Sequence, residues 1–158
     1  VPPEGVCARL FNQREGSVTD DSFDLKLIYP DLNVTLKAGV FVKEPGPRLQ
    51  VHGMHGSFVK YGLDAQEAQL RKGKKPGSKG FGTEPASQRG VLNTTTFGKS
   101  FRRLYETLPG NYMAFFDNVH AVITISAEAI VKPGDALLNI RIIEAARNSN
   151  SQQRIIQL

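Results

Sequence analysis

The sequence predicts an α+β fold built on a mostly antiparallel sheet, and three observations carry that expectation. Residues 23–29 and 32–42 alternate apolar and polar side chains, the period of a strand with one face in a core. Pro- and Gly-bearing turns separate such segments at hairpin spacing. After Pro109-Gly110 the apolar residues recur instead at spacings of three and four, the period of a helix.

Taken in order, residues 6–12 read as a first strand. In 23–29, Phe23, Leu25, Leu27 and Tyr29 oppose Asp24 and Lys26. In 32–42, Leu32, Val34, Leu36, Ala38, Val40 and Val42 oppose Asn33, Thr35 and Lys37, and Pro30-Asp31 closes the two into a hairpin. Phe41, between Lys37 and Lys43, is an apolar side chain on the polar face, which suits contact with something other than water. Leu49 and Val51, then Val59 and Tyr61, flank Gly53-Met54-His55-Gly56 as a second hairpin. Residues 64–72 read as a short helix with Asp64 as N-cap, Glu67 at capping-box spacing and Gly73 as its stop. A Gly/Pro/Lys-rich connection over 73–89 shows little periodicity, which marks a functional or mobile loop. Strand composition returns at 90–95 and 99–106.

Tyr112, Phe115, Phe116, Val119, Val122 and Ile123 then outline an amphipathic helix. Pro133 fits the first turn of a second helix, where its missing N–H costs nothing. That helix is apolar almost all round (Leu137, Leu138, Ile140, Ile142, Ile143) and so requires cover on more than one side. Arg154-Ile155-Ile156 is a short terminal strand.

Composition excludes several classes. With 158 residues, 40% of them hydrophobic and 22% charged, the chain fits one soluble globular domain rather than a disordered tail. No apolar run approaches the roughly 20 residues of a membrane span. A single cysteine, Cys7, forms no internal disulfide, and with three scattered histidines it makes a structural zinc site an unsuitable reading; the cytoplasm is the expected compartment. The net charge of +5 owes much to Arg71-Lys72-Gly73-Lys74-Lys75 and Lys79, a basic loop without the interleaved aromatics that stack bases, so no nucleic-acid partner and no membrane partner is expected.

No G-x-G-x-x-G, G-x-S-x-G, H-E-x-x-H or C-x-x-C is present. Asn93 to Ser100 nearly spells a phosphate-binding loop, but Asn93 replaces its first glycine and the surroundings read as strand. Asp20-Asp21 reads as a solvated pair, since neighbours on a strand point apart. His52 and His55 bracket a turn, and His120 reads as a partly buried packing residue. Tyr61 and Tyr112, each with an apolar ring and a hydroxyl, are the better candidates for substrate contact, beside a plain packing role. The residues alone show no catalytic constellation.

Gly53 to Asp64 (G-M-H-G-S-F-V-K-Y-G-L-D) and the following Asp64-Ala65-Gln66-Glu67-Ala68-Gln69-Leu70 resemble the C-terminal domain of the Gfo/Idh/MocA oxidoreductases, in particular the scyllo-inositol-dehydrogenase-like, YdgJ/YvaA-type members. Pro76-Gly77 through Phe81-Gly82-Thr83-Glu84-Pro85 resembles the family's loop, and Pro109-Gly110-Asn111-Tyr112 with Phe115-Phe116 its helix start.

The resemblance implies an open, mostly antiparallel sheet with helices on one face, the dihydrodipicolinate-reductase-like architecture, as a single domain over residues 1–158. It implies a preceding Rossmann domain that holds NAD or NADP, a catalytic lysine in E-K-P and an Asp/His pair in D-x-x-x-H, none of which occurs in this sequence. The expectation is therefore no catalytic residue, no bound cofactor and no metal within these residues, and no hydride transfer by them alone. Substrate contacts for a sugar or polyol fall on Asn111, Tyr112, Tyr61 and Phe81, and the open sheet face is expected to pair subunits in a homo-oligomer. Rival readings are a non-enzymatic sugar-binding or dimerisation module and, more remotely, an RNA-binding protein.

Overall fold

The computed structural model describes residues 1–158. Its elements run β1 (Gly5–Phe11), β2 (Ser22–Ile28), β3 (Asn33–Gly39), β4 (Leu49–Gly53), β5 (Gly56–Lys60), α1 (Gln66–Arg71), a 3-10 turn (Ala86–Gln88), β6 (Gly90–Thr96), β7 (Lys99–Tyr105), α2 (Tyr112–Ile125), α3 (Pro133–Gln152) and β8 (Ile156–Gln157). The α+β class holds, and its antiparallel β-structure is distributed over two four-stranded sheets. The chain divides into two compact units, Val1–Lys43 with Val131–Leu158, and Glu44–Ile130.

In the first unit the strand order is β3-β2-β1-β8. Register places Val6 opposite Leu27, which lies opposite Val34, so one pleat face gathers the apolar set that the alternation predicts. Val6, Ala8 and Leu27 are buried there against Ala145 and Ala146 of α3, with Leu25, Val34, Ile142 and Ile156 packed around them. Small alanines let the helix approach the sheet closely. Its other flank keeps Leu137, Ile140 and Ile143 about half exposed, so the apolar surround of α3 is covered on one side.

The outer edge of β1 is filled in an unusual way. β8 pairs only with Gly5 and Val6. Beyond it, Ala8 N–H donates to Ser149 Oγ at 3.0 Å and Leu10 N–H to Asn150 Oδ1 at 3.0 Å, so side chains of α3 accept ladder donors that the short strand cannot reach.

Two expectations in this unit are corrected. β3 ends at Gly39, and Phe41 lies in the turn beyond it rather than on the polar face of a strand. Asp21 is not a solvated partner of Asp20: its carboxylate, 2% exposed, accepts the N–H of Gln13 at 2.7 Å and of Arg14 at 3.1 Å, with Arg14 Nε at 3.0 Å. Three donors gathered by the β1–β2 loop hold its pKa below the ordinary value, the Gln13 amide first among them.

The second unit carries the order β4-β5-β6-β7. Met54-His55 turns the first hairpin, and Phe97-Gly98, both at positive φ (50° and 72°), turns the β6–β7 hairpin, so the near match to a phosphate loop is a strand–turn–strand. α2 is a helix as its periodicity predicts, yet none of its residues is buried, and Phe116 and Ile123 remain 60% and 77% exposed. His120 is exposed too, rather than partly buried.

Candidate functional site

Residues 60–69, 80–88 and 107–112 of the second unit converge through polar contacts. Asp64 does not cap α1 in the expected manner: the cap position is Ala65, and Glu67 pairs with Arg71 at 2.6 Å instead of closing a capping box. Asp64 Oδ1 accepts the Gln66 N–H at 2.7 Å, and its Oδ2 accepts from Gln66 Nε2 at 3.1 Å. The side chain thereby turns the chain into α1 from one residue further back.

Gln66, 1% exposed, is the most enclosed polar side chain of the unit, and its Oε1 accepts the Tyr112 N–H at 2.7 Å. Asn111 caps α2 by accepting the Ala114 N–H at 3.2 Å. The loop over 73–89 is ordered where it returns: Gln69 Oε1 accepts the Gly82 N–H at 2.7 Å, and Gln69 Nε2 donates to the Thr83 carbonyl at 3.0 Å. Gly110 N–H then donates to the Gly82 carbonyl at 3.1 Å. A Cβ on Gly82 would collide with the Gly110 carbonyl, and one on Gly110 with the Asp64 carboxylate. Both positions are glycine because two backbones touch there.

Lys60, the last residue of β5, completes the convergence. Its ammonium donates to Glu84 Oε2 at 2.5 Å, the Gln88 carbonyl at 2.9 Å and Thr107 Oγ1 at 3.1 Å. The two side chains are 13% and 8% exposed. Burial pushes the Glu84 carboxyl up, but the bonds from Lys60 and Thr107 and the nearby ammonium outweigh it, so Glu84 sits below the ordinary glutamate value and is an anion at neutral pH. Lys60, Asp64, Glu84 and Thr107, with Leu63 and Leu108, line a cavity of about 140 Å³. A lining that mixes hydrogen-bonding and aliphatic groups suits a small polyhydroxylated molecule.

Of the residues expected to touch substrate, Phe81, Asn111 and Tyr112 are brought into one neighbourhood, because Phe81 adjoins Gly82 and Asn111 adjoins Gly110. Tyr61 is not among them. Strand alternation sends it away from Lys60, and it lines a separate groove of about 400 Å³ with Val59, Arg89, Asn93 and Arg102. Tyr112 and Tyr61 are 43% and 67% exposed. Sequence reasoning missed Lys60, Gln66 and Glu84. A lysine between Val59 and Tyr61 was the one available signal, since a cation on a strand face shared with Phe58 needs an anion nearby. No group of His, Cys, Asp and Glu side chains is placed to hold a metal ion. No helix is long and apolar enough to cross a membrane.

A profile described as "Oxidoreductase family, C-terminal alpha/beta domain" (Gfo/Idh/MocA) matches residues 4–158. The chain is 35% identical over 156 residues to scyllo-inositol 2-dehydrogenase (NADP(+)) IolW of Bacillus subtilis, covering 99% of the chain and 44% of that protein. It is 34% identical over 143 residues to the oxidoreductase YhhX of Escherichia coli, covering 90% and 41%. Among solved structures, the oxidoreductase yvaA of Bacillus subtilis superimposes with a TM-score of 0.94 at 35% identity, over 99% of this chain and 46% of that one. An oxidoreductase of Bacteroides fragilis gives 0.91 at 38% identity, over 99% and 48%. The chain thus spans less than half the length of each of these relatives.

Proposed function

This chain belongs to the Gfo/Idh/MocA oxidoreductase family, matching its C-terminal α/β domain, and from that premise we propose that it forms the substrate side of an NAD(P)-dependent oxidoreductase acting on a secondary alcohol of a sugar or cyclitol. The observation that carries this reading is the cavity beside the Gly82–Gly110 contact, where the Asp64 carboxylate can accept from a hydroxyl and Lys60, Glu84 and Thr107 set the wall, next to the glycines whose sequence neighbours are Phe81 and Asn111. The name of the Bacillus subtilis relative, an inositol dehydrogenase using NADP(+), points to the same substrate class.

The residues of this chain do not fit a dinucleotide: no G-x-G-x-x-G joins a strand to a helix anywhere in the sequence. The nicotinamide, which accepts a hydride from the alcohol carbon when bound, is therefore held outside residues 1–158, and these residues alone turn nothing over. Their part is to bind and orient the polyol by hydrogen bonds to its hydroxyls, and to exclude water around it. Exposed Val51, Phe101 and Tyr105, which share one face of the second sheet, support its use as a contact between subunits. A lone, unpaired Cys7 suits a cytoplasmic setting.

The test is a dehydrogenase assay on the full-length protein that carries this chain, with NAD and NADP and a panel of inositols and aldoses, reading reduced nicotinamide. Turnover of a cyclitol or sugar is expected. Saturable polyol binding without any nicotinamide reduction would replace the enzyme with a sugar-binding module.

A further inference from the structure

We propose that the Lys60–Glu84 ion pair is a positioning device for the substrate cavity, fixing the loop that bears Phe81 against the start of α2. This rests on the polyol-oxidoreductase reading above. The argument begins with what burying such a pair costs. The side chains are 13% and 8% exposed, whereas Arg71–Glu67 and Lys37–Asp24 lie out in solvent. Removing both charges from water consumes much of their mutual attraction, and an apolar pair of similar size holds a chain together as well or better. Stability alone does not explain a lysine on a strand face that it shares with Phe58.

Geometry does. An ammonium has three N–H bonds in fixed directions. Here all three are committed, to Glu84, Gln88 and Thr107, on two segments that β5 does not otherwise join. Three simultaneous acceptors leave one placement for those segments about the Lys60 nitrogen, which apolar packing would leave free to slide. Lys60, Glu84 and Thr107 line the cavity together with Gly82 and Gly110, and Phe81 and Asn111 are the sequence neighbours of those glycines. Neither Lys60 nor Glu84 is assigned a chemical step; they act through the residues that they place.

The experiment uses the full-length protein with Glu84→Gln, Lys60→Met and the double variant, measuring KM and kcat for the polyol, KM for the dinucleotide, and thermal stability. The double variant removes both charges, so it leaves no buried charge unpaired and remains informative if a single variant misfolds. All three are expected to raise the polyol KM on the order of tenfold, since displacements near 1 Å are costly at a binding site, with the dinucleotide KM unchanged. A purely structural role gives another pattern: fewer active molecules, a lower apparent kcat and a wild-type KM. That pattern, above all in the double variant, overturns the proposal and leaves the polyol reading standing. A wild-type protein that turns over no polyol removes that reading and the positioning role with it.

Discussion

The side-chain oxygen of Gln66 accepts the backbone N–H of Tyr112 across 2.7 Å, from a residue only 1% exposed. One buried amide thus joins the start of α1 to the start of α2, while its nitrogen donates to Asp64. Replacing Gln66 by leucine keeps the volume and deletes both bonds. The Tyr112 N–H and the Asp64 carboxylate then lose their partner, which costs about 1–3 kcal/mol. Urea denaturation of Gln66→Leu reads this directly, and an unchanged midpoint would mean that water replaces the amide.

The Gly82–Gly110 contact makes a second, sharper prediction. Gly82→Ala places a Cβ at φ +77° against a carbonyl, and Gly110→Ala places one against Asp64 and Gln66. Each is expected to lower stability by roughly 1–3 kcal/mol. Gly134→Ala, in the first turn of α3 with nothing within 4 Å, is the control and should be neutral or gain up to about 1 kcal/mol. Thermal melts of the three variants should separate in that order.

Ser149 offers a test in the other unit. Its Oγ accepts the Ala8 N–H at 3.0 Å and donates to the Arg154 carbonyl at 2.7 Å, and the residue is 1% exposed. Ser149→Ala leaves a buried strand N–H without an acceptor, at a cost of about 1–3 kcal/mol. Amide hydrogen exchange should quicken at Ala8 and stay slow at Leu27; uniform quickening would point instead to global loosening.

Acid should weaken both units through two carboxylates. The Gln13 amide is the main influence lowering Asp21 from its ordinary 3.8, while Glu84, raised by burial, is brought below its ordinary 4.5 chiefly by Lys60. Each folded value lies below the unfolded one, so the linked stability is fully present above the unfolded values, 3.8 for Asp21 and 4.5 for Glu84, and is lost as pH falls through the lower folded values. Melting temperatures followed from neutral pH into that range should decline less steeply in Asp21→Asn and Glu84→Gln. Equal slopes in variant and parent would contradict the assignment.

Much of this architecture was legible because it depends on periodicity. Leu25, Leu27 and Val34 announced their shared face by alternation, and Pro133 announced the first turn of α3. What stayed hidden depends on contacts far apart in sequence. Gln66 and Tyr112 are separated by 46 positions, and Lys60 and Thr107 by 47, so no local pattern reveals either. The expected box at Asp64 and Glu67 failed for the opposite reason: its spacing was right, but Arg71 one turn on competes for Glu67, and Asp64 turns back onto Gln66. Tyr61 pairs with Tyr112 on chemistry alone, and its place beside Val59 in a separate groove parts it from Tyr112.

The last turn of α3 has an effect reaching past its own packing. A row of vacant amides along β1 would invite any passing extended peptide to zip on, the first step toward fibrous association. Ser149 and Asn150 occupy Ala8 and Leu10 and so keep that seam closed to strangers. A proteolytic nick that frayed the helix beyond Asn148 would therefore do more than loosen a terminus: it would turn a sealed margin into an adhesive one.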